Sequence, residues 1–201
     1  LISSAPARRE TKLAILQLFP NGRLFELYGS TEAGWVTVLR PDEQLDHLGS
    51  VGREWAGSGA IRLLNEHRRE VADGEVGELF SRTPWVFGGY WKRPEANAAA
   101  FVDGDWFCTG DVAYIDDEGF LFIVDRIKDL IIRGGENIGC GHVEAALLLH
   151  PLVREAAVYA VPDERLGEEV GATLYASEAL DLDELRRFLA THLARFELPR
   201  H

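Results

Sequence analysis

The spacing of apolar residues changes twice along the chain and divides it into three stretches. Residues 10 to 19 carry Leu13, Ile15, Leu16, Leu18 and Phe19 at helical spacing, and Pro20-Asn21-Gly22 supplies a stop. Leu24 to Tyr28 predicts a short buried strand that runs into Gly29-Ser30-Thr31-Glu32-Ala33-Gly34. From about 48 to 124, short apolar runs alternate with turn residues. The clearest predicted strands there cover 60–64, 75–82, 112–115 and 120–124, with Asp116-Asp117-Glu118-Gly119 as a hairpin-type turn between the last two. Beyond Gly135 the helical spacing returns. A helix is predicted over 143–150, stopped by Pro151, then strands over 153–161 and 171–176. A last helix over 183–196 puts Leu185, Phe188, Leu189, Leu193 and Phe196 on one side, with Asp181 or Asp183 near its N-cap.

This order predicts an α+β chain. A helix-and-strand piece and a small antiparallel sheet or barrel come first, over residues 1–127, and a small α+β module follows over 128–201. The join falls in Asp125-Arg126-Ile127-Lys128-Asp129, a dense charge cluster ahead of Arg133 and the pair Gly134-Gly135. Unpaired charge is costly in a core, and glycine lets backbone take positive φ or lie against a ligand. The cluster therefore reads as a working joint where backbone meets an anionic or phosphorylated molecule.

Composition narrows the classes. The 46% hydrophobic content is that of a globular protein, whereas a formal net charge of -12 argues against non-specific nucleic-acid binding. It leaves room for ATP, because one local group such as Arg126, Lys128 and Arg133 is enough. Cys108 and Cys140 form neither a metal motif nor a disulfide framework, which fits a reducing cytoplasm. No apolar run approaches the roughly 18 residues of a transmembrane span. The chain contains no Met, so it reads as an internal piece of something longer. Neither oligomeric state nor the identity of a substrate is legible.

Several chemistries are absent from the pattern: no G-x-x-x-x-G-K-[ST], no H-E-x-x-H, no C-x-x-C and no G-x-S-x-G. His150 and His192 read as helix-packing or surface residues. Two segments stay open between two readings. In Tyr28-Gly-Ser-Thr-Glu-Ala-Gly34, Thr31 offers a hydroxyl for phosphate and Glu32 a hard oxygen for Mg²⁺, or the segment is a glycine-rich turn with a surface Glu. In Trp106-Phe-Cys-Thr-Gly-Asp111, Asp111 accepts both hydroxyls of a ribose or is a β-turn aspartate. Gly88-Gly-Tyr-Trp91 with Pro94 reads as a structural turn with packed aromatics.

Taken together these segments resemble the adenylate-forming enzymes, in their acyl-CoA synthetase branch. The resemblance runs in family order through Ser3-Ser-Ala-Pro6, Tyr28-Gly-Ser-Thr-Glu32, Gly49-Ser-Val-Gly-Arg53, Gly77-Glu-Leu79, Gly89-Tyr-Trp91, Thr109-Gly-Asp111, Asp125-Arg-Ile-Lys-Asp129, Gly134-Gly-Glu-Asn-Ile138, His150-Pro151 and Val161 to Glu168. It implies ATP, Mg²⁺ and CoA as reactants, with a small-molecule carboxylic acid, a fatty acid by preference. By position it implies that Tyr28, with Gly29 and Ser30, lies at the nucleotide, that Thr31 contacts phosphate and that Glu32 ligates Mg²⁺. It further implies that Asp111 and Arg126 hold the ribose and that Ile123 packs near the nucleotide. Lys128 falls at the family's hinge, and Gly134 and Gly135 at the thiol passage.

Two departures matter. Gly139-Cys140-Gly141-His142 replaces the commoner Tyr-Pro-x-Glu type. The family's phosphate loop, expected ahead of these motifs, and its adenylation lysine, expected after Ala194-Arg-Phe-Glu-Leu-Pro199, are not among the 201 residues. The 201 residues alone are therefore expected to be catalytically inactive.

Overall fold

The computed structural model describes residues 1–3, 7 and 9–201. Within the Ser3-to-Pro6 motif, residues 4–6 lie outside the described residues. The contacts divide the chain into two compact units, Leu1–Ile123 and Val124–His201.

The first unit opens with helix α1 (Arg9–Leu18) and the hairpin β1 (Glu26–Ser30) and β2 (Gly34–Leu39). The helix departs from its amphipathic pattern. Leu18 and Phe19 are exposed, and the one buried residue of α1 is Lys12, 1% exposed. Its ammonium pairs with the buried carboxylate of Glu26 and donates to the carbonyl of Ser50 at 3.4 Å. Charge pairing adds to the half-buried Leu13, Ile15 and Leu16 in fixing which side of α1 faces in. Strand β2 had no sequence prediction, because Thr37 is buried among its valines and breaks the two-residue alternation.

The rest of this unit is a five-stranded sheet. Strands β3 (Ala60–Leu64), β4 (Gly77–Arg82), β6 (Trp106–Ile115) and β5 (Phe101–Val102) follow one another in that order, and β7 (Leu121–Arg126) also pairs with β6. Short helix α2 (Pro94–Ala100), with proline in its first turn, precedes β5. The predicted 116–119 turn is present. Asp116 Oδ1 accepts from the amides of Glu118 and Phe120, at 3.1 and 2.8 Å. Leu63, Leu79, Ala113 and Leu121 form one apolar cluster; Ala33, Val36 and Phe107 form another.

The second unit is a four-stranded sheet with two helices. Strands β8 (Leu130–Arg133) and β9 (Glu136–Gly139) make a hairpin, and helix α3 (Cys140–Leu148) follows at once. Strands β10 (Val153–Asp163) and β11 (Gly167–Ala176) make a second hairpin, and the sheet order is β10-β11-β8-β9. Helix α4 (Leu182–Leu189) is capped by Asp181, whose carboxylate accepts from the amides of Asp183 and Glu184. It stops well short of the predicted 196. Thr191 bends the chain by donating its hydroxyl to the carbonyl of Phe188 at 2.7 Å, yet Leu193 stays buried beside Leu185 and Leu189. Among the described residues no helix is long and apolar enough to cross a membrane.

Candidate functional site

The β1–β2 hairpin builds the first half of the site. Ser30 pairs with Gly34, so Thr31, Glu32 and Ala33 form its tip, and the register slips between Tyr28 and Gly29. A Cβ on Gly29 would stand 2.1 Å from the carbonyl oxygen of Gly34, so no larger residue fits there. The tip is pinned on several sides. Ser30 Oγ accepts from the amide of Ala33 at 3.0 Å, the hydroxyl of Thr83 donates to the carbonyl of Ala33, and the amide of Phe87 donates to the carbonyl of Glu32 at 2.8 Å. Thr31 is left exposed at the apex.

The second half comes from an irregularity in β6. Its pairing to β4 runs from Glu78↔Val112 to Phe80↔Cys108, so Thr109, Gly110 and Asp111 bulge opposite Leu79 alone. Gly110 takes φ +74° there. Thr109 Oγ1 donates to the carbonyl of Leu79 at 2.8 Å and accepts from the amide of Asp111 at 3.1 Å. Bulges re-aim side chains beside functional sites, and this one turns Asp111 toward Tyr28. The Tyr28 hydroxyl donates to the Asp111 carboxylate. The β-turn reading of Asp111 is thereby corrected: the residue lies inside a strand, and the Thr-Gly that resembled a turn is a bulge.

Apolar packing brings Ile123 into the same neighbourhood. Tyr28 borders both clusters of the unit, and Ile123 packs on the cluster that Leu63, Leu79, Ala113 and Leu121 share with it. Tyr28, Gly29, Ser30, Thr31, Glu32, Asp111 and Ile123 thus all belong to the first unit. Tyr90 joins them. Its hydroxyl donates to Glu32 Oε1 at 3.1 Å, and burial followed by that carboxylate raises the phenol above its ordinary pKa. The sequence reading took Tyr90 for turn packing. The two residues stand 58 apart in the chain, and no spacing rule connects them.

Arg126, Lys128, Gly134 and Gly135 lie in the second unit. Arg126 ends β7, and its amide donates to Asp125 Oδ1 at 2.8 Å. Lys128 sits in the 3₁₀ turn Ile127–Asp129, largely exposed, with its ammonium 4.0 Å from Asp129. Gly134 and Gly135 are the tip of the β8–β9 hairpin. Arg133 is not available to a nucleotide in the way the charge cluster suggested, because its guanidinium is engaged by the Glu169 carboxylate.

A cavity of about 350 Å³ in this unit is lined by Asp125, Lys128, Cys140, Glu144 and Tyr159, among others. Two of its carboxylates are already engaged: Asp125 Oδ2 accepts from the amide of Gly141 at 3.0 Å, and Glu144 Oε1 from that of Val158 at 2.9 Å. The first of these bonds serves the departing Gly139-Cys140-Gly141 sequence. A helix with no cap of its own takes one from Asp125, and a Cβ on Gly139 would lie 2.9 Å from that carboxylate. Among the described residues no group of three or more His, Cys, Asp or Glu is placed to hold a metal. A divalent ion at Glu32 would be held by that single carboxylate together with ligand oxygens. That is how Mg²⁺ is commonly bound beside phosphates.

Residues 1–91 match the family described as AMP-binding enzyme, and residues 142–201 match its C-terminal domain. A 2-succinylbenzoate–CoA ligase of Bacillus velezensis is 42% identical over 177 residues, which is 88% of this chain and 36% of that protein. The mitochondrial medium-chain acyl-CoA ligase ACSF2 of Mus musculus is 37% identical over 206 residues, 100% of this chain and 33% of its own length. The solved structure of o-succinylbenzoate CoA synthetase from Bacillus subtilis, in complex with ATP and magnesium ion, superposes with a TM-score of 0.85. It is 34% identical, covering 98% of this chain and 40% of that one. The chain therefore spans about two fifths or less of these relatives.

Proposed function

The chain belongs to the AMP-binding, adenylate-forming enzyme family, and from that premise we propose that it is part of an AMP-forming carboxylate–CoA ligase. Residues 1–127 would be the C-terminal part of the large nucleotide-binding domain, and 128–201 most of the small one, with the pivot at Lys128. The observation that carries the reading is the Tyr28–Asp111 hydrogen bond. It joins two motifs 83 residues apart into one cradle, with the Thr31-Glu32 tip on the same hairpin as Tyr28.

The chemistry follows from those groups. Tyr28 offers its ring face to adenine, with Gly29, Ser30 and Ile123 close to the nucleotide. Asp111 accepts the ribose hydroxyls, with Arg126 as the second ribose contact. Thr31 donates to phosphate, and Glu32 holds Mg²⁺. When bound, the ion offsets negative charge building on the phosphates during displacement. A carboxylate oxygen of the acid attacks the α-phosphorus, the bond to pyrophosphate breaks, and an acyl-adenylate results. The thiol sulfur of CoA then attacks the acyl carbon, AMP leaves with its electron pair, and the thiol proton passes to solvent. Tyr90 orients Glu32 through its hydrogen bond to Oε1, and the Glu32 carboxylate would hold the ion. Gly134 and Gly135 line the path of the thiol. Reuse of one site for two steps by a hinge is an established enzymatic device.

The acid is open between two classes. The 2-succinylbenzoate ligases favour an aryl acid, and the medium-chain relative favours a fatty acid. Transfer to a carrier protein or an oxidative second step is the alternative fate of the adenylate. Free Cys108 and Cys140 support a cytoplasmic site. The test is acid-dependent exchange of pyrophosphate into ATP by the full-length protein, across fatty and aryl acids, followed by acyl-CoA formation. Exchange with at least one acid supports the reading, and none across the panel contradicts it.

A further inference from the structure

Gly134 and Gly135 have φ of +59° and +93°, and Arg133 pairs with Glu136 across them. This is a two-residue hairpin turn of the primed kind, which needs positive φ at both central positions. Both glycines are exposed. The tip is held from behind, and the ladder supplies little of that hold. Strand β11 meets β8 at Gly167↔Arg133 alone. Three other bonds complete the attachment. The amide of Gly134 donates to the carbonyl of Leu166 at 2.8 Å, and the amide of Ile132 donates to Glu168 Oε2 at 2.7 Å. The third is a two-point ion pair: Arg133 Nε donates to Glu169 Oε1, and Arg133 Nη2 to Glu169 Oε2 at 2.9 Å.

We propose that the Arg133–Glu169 ion pair is a positioning device that holds the Gly134-Gly135 tip in the orientation the thiol-transfer step requires. This rests on the assignment of those glycines to the thiol path. Glu169 lies two residues beyond the ladder partner of Arg133, so the two side chains share one face of the antiparallel pair and meet diagonally. Both are mostly shielded, with side-chain exposures of 16% for Arg133 and 9% for Glu169. Glu169 Oε1 also accepts from the amide of Val170 at 3.1 Å, which anchors the carboxylate to β11. A guanidinium bound through two parallel N–H groups fixes distance and plane together. A lysine ammonium would fix distance only. Arg133 is the residue immediately before the turn, so its guanidinium sets the pitch of the strand end that carries the glycines.

The experiment uses the full-length protein and reads the two half-reactions separately. Acid-dependent pyrophosphate exchange reports the first, and transfer of a preformed acyl-adenylate to CoA reports the second. Misplacing a reacting group by about 1 Å costs on the order of a hundredfold in rate. Arg133→Met and Glu169→Gln are therefore expected to keep exchange within about twofold of wild type. Transfer should fall by about tenfold or more, chiefly as a raised KM for CoA, with Arg133→Lys in between. If Arg133→Met fails to fold, Glu169→Gln, which preserves shape and one acceptor, carries the same comparison. Unchanged transfer in Glu169→Gln overturns the proposal. So does a parallel loss of both half-reactions, which marks a merely structural pair. Absence of exchange in the wild type overturns the ligase reading itself, and is seen before any variant is made.

Discussion

Lys12 and Glu26 form an ion pair in the interior of the first unit, the lysine on α1 and the carboxylate at the first residue of β1. Tyr28 follows two residues later on the same strand. The pair therefore anchors the strand that carries the nucleotide motif, and the Lys12 ammonium reaches on to the carbonyl of Ser50. Ser50 is itself tied in, since its hydroxyl donates to the carbonyl of Leu121 at 2.8 Å.

Breaking that pair from one side leaves an uncompensated buried charge. Lys12→Met should destabilise the first unit by about 3–5 kcal/mol, and removing both charges together with Glu26→Leu should restore most of it. Denaturant unfolding of the 201-residue chain measures both. Equal losses in the single and double variants would mean that the pair is not what orients α1.

The Tyr28–Asp111 bond predicts a graded effect on nucleotide binding. A hydrogen bond to a charged group contributes about 1.5–3 kcal/mol. Asp111→Ala should raise the KM for ATP in pyrophosphate exchange by about tenfold to a hundredfold. Tyr28→Phe keeps the ring for adenine and should cost less. A larger effect from Tyr28→Phe than from Asp111→Ala would reverse the roles given to them.

Acid should loosen the second unit through Glu169. The Arg133 guanidinium, chiefly by its hydrogen bonds, holds this carboxyl below its ordinary value of 4.5. A depressed folded-state pKa contributes stability that is fully present above the unfolded value and is lost as pH falls through the folded one. Thermal melting should thus be insensitive to this group from pH 7 to about 5 and fall below about 4.5. The Glu169→Gln variant should melt lower at pH 7 and show a shallower acid decline.

Both thiols should be inert in the folded chain. Burial, aided by the Glu78 carboxylate at Cys108 and by Asp125 and Glu144 at Cys140, pushes each up to about 11. At pH 8 about one thiol in a thousand is then ionised, far below an ordinary cysteine. A thiol-reactive dye should label the native chain slowly and the denatured chain promptly, with two equivalents in the latter. Rapid native labelling would contradict this environment.

How much of this was legible beforehand differs by element. Strand 60–64 and the 116–119 turn were readable because a short apolar run between turn residues and an Asp-Asp-Glu-Gly turn are local signals. The α+β class and the motif order were readable for the same reason. The bulge at Thr109–Asp111 was not, because a bulge is defined by its partner strand, and Leu79 lies 30 residues away. The burial of Lys12 on α1 was not readable, because it depends on Glu26, which no helix periodicity reports. Tyr90 beside Glu32 and Arg133 on Glu169 were missed on the same ground: each is a pairing across the fold. Motifs named the residues of the site, and tertiary pairing decides which way they face.

Oxygen tracing reads out formation of the adenylate itself. The full-length protein would be supplied with ATP, CoA and an acid it activates, labelled with ¹⁸O in its carboxylate. Attack of that carboxylate on the α-phosphorus leaves one labelled oxygen on AMP after the thiol step. AMP should carry a single ¹⁸O, and pyrophosphate should stay unlabelled. Label in pyrophosphate or inorganic phosphate, or none in AMP, would contradict adenylate formation.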